Sequence, residues 1–311
     1  MSIPRKPVVC FGFAPCIQRI LEFPHLEKGA VNRAAKVALG IGGKGANTAR
    51  MVNRLGGDAL LIGFAGGANG KLLETMLAEE QVAFRHVEVK GETRICQTLI
   101  ESGNPETTEL VEEMPPITSV EWESMLSLLQ AMPLGDSIVT VSGRLPAGAP
   151  ADAYARIASH VSWSGGKIIL DAPGEPLLLA LDHEPLMVKI NDSELLQTIG
   201  GDDLIDACLQ VIGRGARSVL VTRGARSAFF VDERQTLELF PPKIKAINPV
   251  GSGDAVTAGI AVTLSKGKTV PEILIDGMAC GAANALNLIS GMLQPEDVSC
   301  MRSEVRIANI K

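Results

Sequence analysis

No run of apolar residues in this sequence is long enough to span a bilayer. The early run from Val8 to Ala14 is too short for a secretory signal core and has no small-residue cleavage pattern after it, so a cytoplasmic protein with no membrane partner is expected. Clustered blocks of Lys and Arg are missing too, and the formal charge is −6, which argues against a nucleic-acid partner. An anionic ligand would therefore need a local positive site. The six cysteines, Cys10, Cys16, Cys96, Cys208, Cys280 and Cys300, show no CxxC spacing, and the four histidines form no ligand cluster, so structural zinc is not expected. Low-complexity and linker-like stretches are also absent. With 46% hydrophobic and 21% charged residues, residues 1–311 read as a single α/β domain.

What is present alternates. Val8 to Phe13, Leu60 to Phe64, Ile138 to Ser142, Ile168 to Asp171, Leu186 to Lys189 and Val219 to Thr222 are short apolar runs ending in glycine or polar residues, the pattern of buried strands. Helical segments fall between them: Ala46 to Leu55, a run opened by Thr118 and Glu121 as a capping box, Ala151 to His160, Glu194 to Ile199 and Leu204 to Ile212. This order predicts a mainly parallel central sheet flanked by helices on both faces, with ligands at the carboxyl ends of its strands. Two stretches break the rhythm, about residues 15–38 and 84–112. Their strand-like residues have many polar neighbours, which predicts a small β-strand lid.

Two glycine-rich segments each run into a helix. In Asn248-Pro249-Val250-Gly251-Ser252-Gly253-Asp254-Ala255, the N–H groups of Gly251, Ser252 and Gly253 would converge at a positive helix end, which suits a phosphoryl group. Asp254 is the odd member, because a carboxylate there repels phosphate unless it accepts the proton of an attacking hydroxyl. The plainer alternative is an Asp that complements the start of its helix. The other segment, Gly40-Ile41-Gly42-Gly43-Lys44-Gly45-Ala46-Asn47, matches GxGxxG, but Asp58 precedes the next strand instead of ending it. It also fails as a P-loop, since Gly45 follows Lys44 where Ser or Thr is required. A loop that turns amides, Lys44 and Asn47 toward a polyhydroxylated anionic ligand explains it better.

With both segments in this order, the chain resembles the phosphofructokinase B family of sugar kinases, of ribokinase-like fold, over nearly its whole length. The resemblance rests on Gly42-Gly43-Lys44-Gly45-Ala46-Asn47-Thr48-Ala49-Arg50 and on Asn248 to Asp254. Val31-Asn32-Arg33-Ala34 and Gly91-Glu92-Thr93-Arg94 are further pieces similar to tagatose-6-phosphate kinases and 1-phosphofructokinases.

The resemblance implies an ATP- and Mg²⁺-dependent kinase acting on a hydroxyl of a ketohexose phosphate: tagatose 6-phosphate, fructose 1-phosphate or fructose 6-phosphate. By similarity, Asp254 is the base, and the amides of Gly251, Ser252 and Gly253 form the anion hole. Gly42, Gly43, Lys44 and Asn47 match the sugar loop, and Arg94 matches the lid arginine that holds the acceptor's phosphate. Lys189-Ile190-Asn191-Asp192-Ser193-Glu194 matches the segment in which Asn191 and Glu194 position magnesium through water and Lys189 lies at the nucleotide phosphates. Thr222 and Gly224 match the nucleotide turn, with Ala282 and Asn284 on the helix across from it. Relatives pair through the lid, which implies a homodimer. Cys16 and Cys96 fall near the implied sugar site, whereas the other thiols read as core fillers.

Several positions depart from the family. Gln18 stands where an Asp is usual, Ile95 follows Arg94 in place of Asn, Ile190 replaces a Pro, and Arg144 takes the small polar position after Ser142 and Gly143. Gln18, Ser142 and Arg144 are kept as acceptor-site candidates. An amide at Gln18 cannot supply the charge-assisted bond of a carboxylate. The altered acceptor half leaves an unphosphorylated sugar or nucleoside as an alternative substrate. A catalytically weak sugar-phosphate sensor is the other alternative, though a sensor needs no base.

Overall fold

A computed structural model describes residues 6–103 and 107–310 of the chain. Its elements in chain order are β1 (Val8–Phe11), β2 (Cys16–Phe23), β3 (Lys36–Gly42), α1 (Lys44–Arg54), β4 (Ala59–Ala65), α2 (Gly67–Glu79), β5 (Ala83–Glu88), β6 (Ile95–Glu101), β7 (Thr107–Leu110) and α3 (Ser119–Gln130). There follow β8 (Ile138–Ser142), α4 (Ala153–Ser164), β9 (Lys167–Asp171), α5 (Glu175–Ala180), β10 (Met187–Asn191), α6 (Asp192–Ile199), α7 (Leu204–Gly213) and β11 (Ser218–Thr222). The chain closes with β12 (Ala228–Asp232), β13 (Thr236–Phe240), α8 (Ser252–Ser265), α9 (Val270–Ala285), α10 (Pro295–Arg302) and β14 (Arg306–Asn309).

The period of two along β1 separates the faces of the main sheet. Val8 and Cys10 pack into one apolar cluster with residues of α1, α8 and α9. Val9 and Phe11 pack into a second, on the opposite face, with residues of α3, α4 and α7. The sheet has ten strands in the order β14-β13-β12-β11-β10-β9-β8-β1-β4-β5. Pairing is parallel from β11 through to β5, and antiparallel at β12, β13 and β14. A mainly parallel sheet covered on both faces is thus the architecture, as the alternation of apolar runs predicts. Among the described residues, no helix is long and apolar enough to cross a membrane.

A second sheet of four strands, in the order β3-β2-β6-β7, forms the lid. Here the boundaries read from sequence need correction. Residues 83–88 form β5, which pairs with β4 from Leu60↔Ala83 to Ala65↔Glu88 and so belongs to the main sheet. An edge strand of a parallel sheet meets solvent along one side, so its polar and apolar residues mix as they do in a lid strand. At the other boundary, β3 runs on to Gly42, so the first glycine turn is the direct continuation of a lid strand.

One buried side chain ties the two glycine turns to the framework. Arg50 of α1, 1% exposed, donates through Nη1 to the carbonyls of Ile41 and Ser290, both at 2.9 Å. Its Nε and Nη2 grip the Glu80 carboxylate at 2.9 and 2.6 Å. Ile41 lies just ahead of the first turn, and Ser290 packs within 3.0 Å of the Cβ position at Gly251 in the second. Removal of the guanidinium would leave two buried carbonyls unpaired, at about 1–3 kcal/mol each.

Candidate active site

The carboxyl ends of the parallel strands and the inner face of the lid enclose a cavity of about 690 Å³. The lid contributes Cys16, Gln18, Arg94, Cys96 and Glu109 to its wall, and the first turn contributes Gly42, Gly43, Lys44 and Asn47. Lys189, Asn191 and Glu194 come from the end of β10 and the start of α6, and Thr222 and Gly224 from the end of β11. Residues 251–254 line it at the start of α8, and Met278, Gly281 and Ala282 form an apolar patch from α9.

Charges of both signs meet on this wall. Asp171, at the end of β9, is wholly buried and accepts from Lys44 Nζ at 3.2 Å, from Lys189 Nζ at 2.9 Å and from Thr257 Oγ1 at 3.2 Å. Burial opposes its ionisation, but the two ammonium groups outweigh burial and hold the carboxyl below its ordinary range. Lys44 is correspondingly raised, by Asp171 first and by Glu194 and Asp254 against the effect of burial. Its Nζ also donates to Glu194 Oε1 at 3.3 Å.

Asp254 lies in the first turn of α8, 5% exposed, with Oδ2 accepting from Asn47 Nδ2 at 2.8 Å. This one hydrogen bond joins the two glycine segments, 207 residues apart in sequence. Burial, reinforced by the negative charge of Asp171, pushes its carboxyl up to about 7. The Asn47 Oδ1 atom is buried with no partner among the described residues. A polar acceptor is thereby left over beside the carboxylate.

The start of α8 is built to leave amides open. Gly251 is its N-cap at φ 80°, a left-handed conformation that suits glycine, and it offers no side chain to cap the helix. Of the three anion-hole amides expected from sequence, Ser252 requires correction: its N–H closes a turn onto the Pro249 carbonyl at 3.1 Å. The N–H groups of Gly251, Gly253 and Asp254 have no partner among the described residues. At Gly253 a Cβ would stand 2.7 Å from Lys189 Nζ, so a side chain there would displace the ammonium group from the start of the helix.

Three other expected contacts do not reach the cavity wall. Ser142 is buried at the end of β8, its Oγ without a partner among the described residues, and Arg144 is exposed in the turn beyond it. That turn is pinned away from the cavity, because Gly143 N–H donates to the Asp171 carbonyl and Tyr154 Oη donates to the Gly143 carbonyl, each at 3.0 Å. Asn284 is fully buried and braces the second turn instead, donating to the Val250 carbonyl at 2.9 Å and accepting from Gly291 N–H at 3.0 Å. Asn191 and Glu194 form a reciprocal helix cap, with Glu194 N–H donating to Asn191 Oδ1 at 2.8 Å, and both line the cavity. Asp171 and Glu109 escaped the sequence reading. Asp171 carried one signal, a carboxylate ending an otherwise apolar strand, while Glu109 had none.

A buried carboxylate of raised pKa, uncapped helix amides and paired lysines in one cleft are the furniture of a phosphotransferase that acts on an alcohol. The chain belongs to the pfkB family of carbohydrate kinases, whose profile it matches over residues 5–289. It is similar in structure to Escherichia coli phosphofructokinase-2, at TM-score 0.88 and 26% identity over 96% of this chain and 99% of that one. A Thermotoga maritima protein described as a possible 1-phosphofructokinase shares the fold at TM-score 0.88 and 20% identity, over 98% of this chain and 99% of that one. Ribokinase of the same organism matches at TM-score 0.73 and 18% identity, over 96% and 99% of the two chains, so the fold is ribokinase-like. Membership implies ATP as the phosphoryl donor.

The raised carboxyl makes stability depend on pH. Folded Asp254 keeps its proton up to about 7, against an ordinary 3.8, so between those values the folded chain binds a proton that the unfolded chain has lost. Its contribution is complete below the lower value and is lost as pH rises through the upper one. Asp171, being depressed, acts only at lower pH. Urea midpoints measured from pH 5 to pH 8 should therefore decline less in Asp254→Asn than in the wild type. Parallel declines would show that Asp254 does not titrate in this window.

Proposed function

We propose that the protein transfers the γ-phosphoryl group of ATP to a hydroxyl of a ketohexose phosphate, with tagatose 6-phosphate, fructose 1-phosphate and fructose 6-phosphate as the candidate acceptors. The observation that carries this reading is the 2.8 Å bond from Asn47 to Asp254, which brings the sugar-loop segment against the proposed base inside one cavity. Escherichia coli phosphofructokinase-2 has been solved in complex with fructose-6-phosphate, and the likeness to it supports a phosphorylated acceptor.

In this reading Asn47 occupies Asp254 Oδ2, and Oδ1 receives the proton of the attacking hydroxyl. A carboxyl near 7 is well matched to that task, because it is basic enough to take the proton and ionised in part at neutral pH. The amides of Gly251, Gly253 and Asp254, together with Lys189 and Lys44, hold the negative charge on the phosphoryl oxygens. Gly42, Gly43 and Gln18 shape the acceptor side. The apolar wall at Met278 and Ala282 faces the nucleotide base, with Thr222 and Gly224 opposite.

The donor set also fits Mg²⁺. Asn191 and Glu194 offer hard oxygens to the cavity, and among the described residues no three acidic, His or Cys side chains form a closed metal cage. An ion that keeps its waters and nucleotide phosphates suits such a site, and Asn191 and Glu194 would hold it through water. Bound there, it would neutralise charge on the phosphate oxygens.

One observation favours a second reading, an unphosphorylated sugar or nucleoside as acceptor. Arg94 already donates through Nε and Nη2 to the Ala14 carbonyl at 3.1 and 2.8 Å, and through Nη1 to the Glu112 carbonyl at 3.0 Å. Five N–H donors less these three leaves two for a phosphate. Arg94→Ala separates the readings: with a phosphorylated acceptor KM rises strongly while kcat changes little, and an unaltered KM would point to a neutral acceptor.

Turnover against a panel of phosphorylated and free ketoses, free aldoses and nucleosides tests the activity itself. With the accepted substrate, Asp254→Asn should lose roughly 10² to 10⁴ in kcat. A folded variant of near-normal turnover would remove Asp254 from the chemistry, and silence across the whole panel would favour a sensor.

The reduced thiols fit a cytoplasmic setting. Association through the lid is supported by Val37 and Leu39 on β3 and Leu110 on β7, exposed at 62%, 46% and 49%. Sedimentation velocity should find a homodimer that Leu39→Glu dissociates, and a wild-type monomer would exclude it.

A further inference from the structure

Two thiols on the cavity wall take no part in the chemistry above. Cys16 opens β2 and Cys96 lies in the neighbouring lid strand β6, where its direct register partner is Gln18. Cys16 and Gln18 are two residues apart on one strand, so their side chains share the face that Cys96 also presents to the cavity. The two side chains are therefore diagonal neighbours on one stretch of the cavity wall. Cys16 Sγ also reaches Gln18 Oε1 at 3.8 Å, while Gln18 Nε2 donates to Thr98 Oγ1 at 2.7 Å.

The charged groups around the pair are two, from two lid segments. Arg94, on the cavity wall beside them, favours a thiolate, and Glu109 of β7 opposes one. The contact with Cys16 is the largest influence on Cys96 and pulls its thiol below the ordinary range against the effect of burial, while Cys16 moves up. The remaining cysteines lack this setting. Cys10, Cys208 and Cys280 are raised by burial and line no part of the cavity, and Cys300 is exposed away from it.

We propose that Cys16 and Cys96 form a peroxide-sensitive dithiol whose oxidation to a disulfide closes the acceptor side of the cavity. The oxidant is hydrogen peroxide. The Cys96 sulfur attacks one peroxide oxygen, the O–O bond breaks, and the departing oxygen takes up the thiol proton and leaves as water, so that Cys96 becomes a sulfenic acid. The Cys16 sulfur then attacks the Cys96 sulfur. The S–S bond forms as the S–O bond breaks, and the oxygen leaves with the Cys16 proton as a second water. Two thiols lose two electrons in all, and one peroxide is reduced to two waters.

Diagonal neighbours in a sheet stand wider apart than a relaxed disulfide prefers, so bond formation draws β2 and β6 together. It also removes the Cys16 donor from Gln18 and changes the wall against which the acceptor would rest. A bridge formed under such constraint is readily reduced by thiols, which makes the change reversible.

The consequence for activity rests on the kinase reading above, but the modification is read by mass and does not depend on it. Reduced full-length protein is treated with a slight excess of hydrogen peroxide, digested under non-reducing conditions and mapped by mass spectrometry. The expected product links the peptides of Cys16 and Cys96 with loss of two hydrogens, kinase activity falls with the same time course, and dithiothreitol restores both. Cys96→Ser, or Cys96→Ala if the serine variant does not fold, should yield no link and keep its own starting activity through the same treatment. Cys16→Ser should stop at oxygen adducts on Cys96. Peroxide that modifies Cys300 while leaving Cys16 and Cys96 unlinked would overturn the proposal, as would a complete link with no change in activity. Absence of activity before treatment would count against the kinase reading alone, since the linked peptide would still report on the thiols.

Discussion

A carboxylate buried between two ammonium groups is the constraint on which the rest of the site depends. Asp171 has almost no contact with water and is held ionised by Lys44 and Lys189. Lys44 comes from the turn that continues a lid strand and Lys189 from β10, so one side chain registers the first glycine turn against the core of the main sheet. Loss of that charge would leave the buried Lys189 ammonium uncompensated and Lys44 with Glu194 alone, the situation in which breaking an ion pair is most costly. The same charge is felt by Asp254 and helps to keep its carboxyl high. Structural pairing and the tuning of the proposed base thus share one source.

The two glycine turns are organised by different means toward the same end. On the first, Asn47 lies one turn into α1 and reaches across to Asp254. On the second, Gly251 leaves the start of α8 without a side-chain cap, and Asn284 holds the loop from behind. Arg50 binds carbonyls adjoining both turns and makes their spacing a property of the core instead of the loops. Uncapped amides are normally a liability for a helix, and here the polar ligand of the cavity would satisfy them.

The lid concentrates what is individual about this chain. Gln18 is committed to Thr98 and Cys16, most of the Arg94 fork is committed to backbone carbonyls, and Glu109 adds an acidic group to the wall. The ends of β10 and β11 by contrast present Lys189, Asn191 and Thr222 to the same cavity from the main sheet. Differences in acceptor choice and in response to oxidants are therefore expected to reside in the same few lid residues.

The sequence alone determined the fold class and the identity of the two turns. Buried parallel strands demand continuous apolar runs, and a backbone that must approach phosphate demands glycine, so both leave local marks. What it did not determine is which polar residues meet. Asp171 reads as the end of a strand, Asn284 reads as a ligand contact although it is a brace, and Ser142 and Arg144 lie next to β9 but are turned off the cavity by Gly143. The main-sheet edge at β5 mixes polar and apolar residues as a lid strand does, so only its pairing with β4 assigns it. Those outcomes depend on contacts between residues tens to hundreds of positions apart, and distances across a fold have no periodicity along the chain from which they could be read.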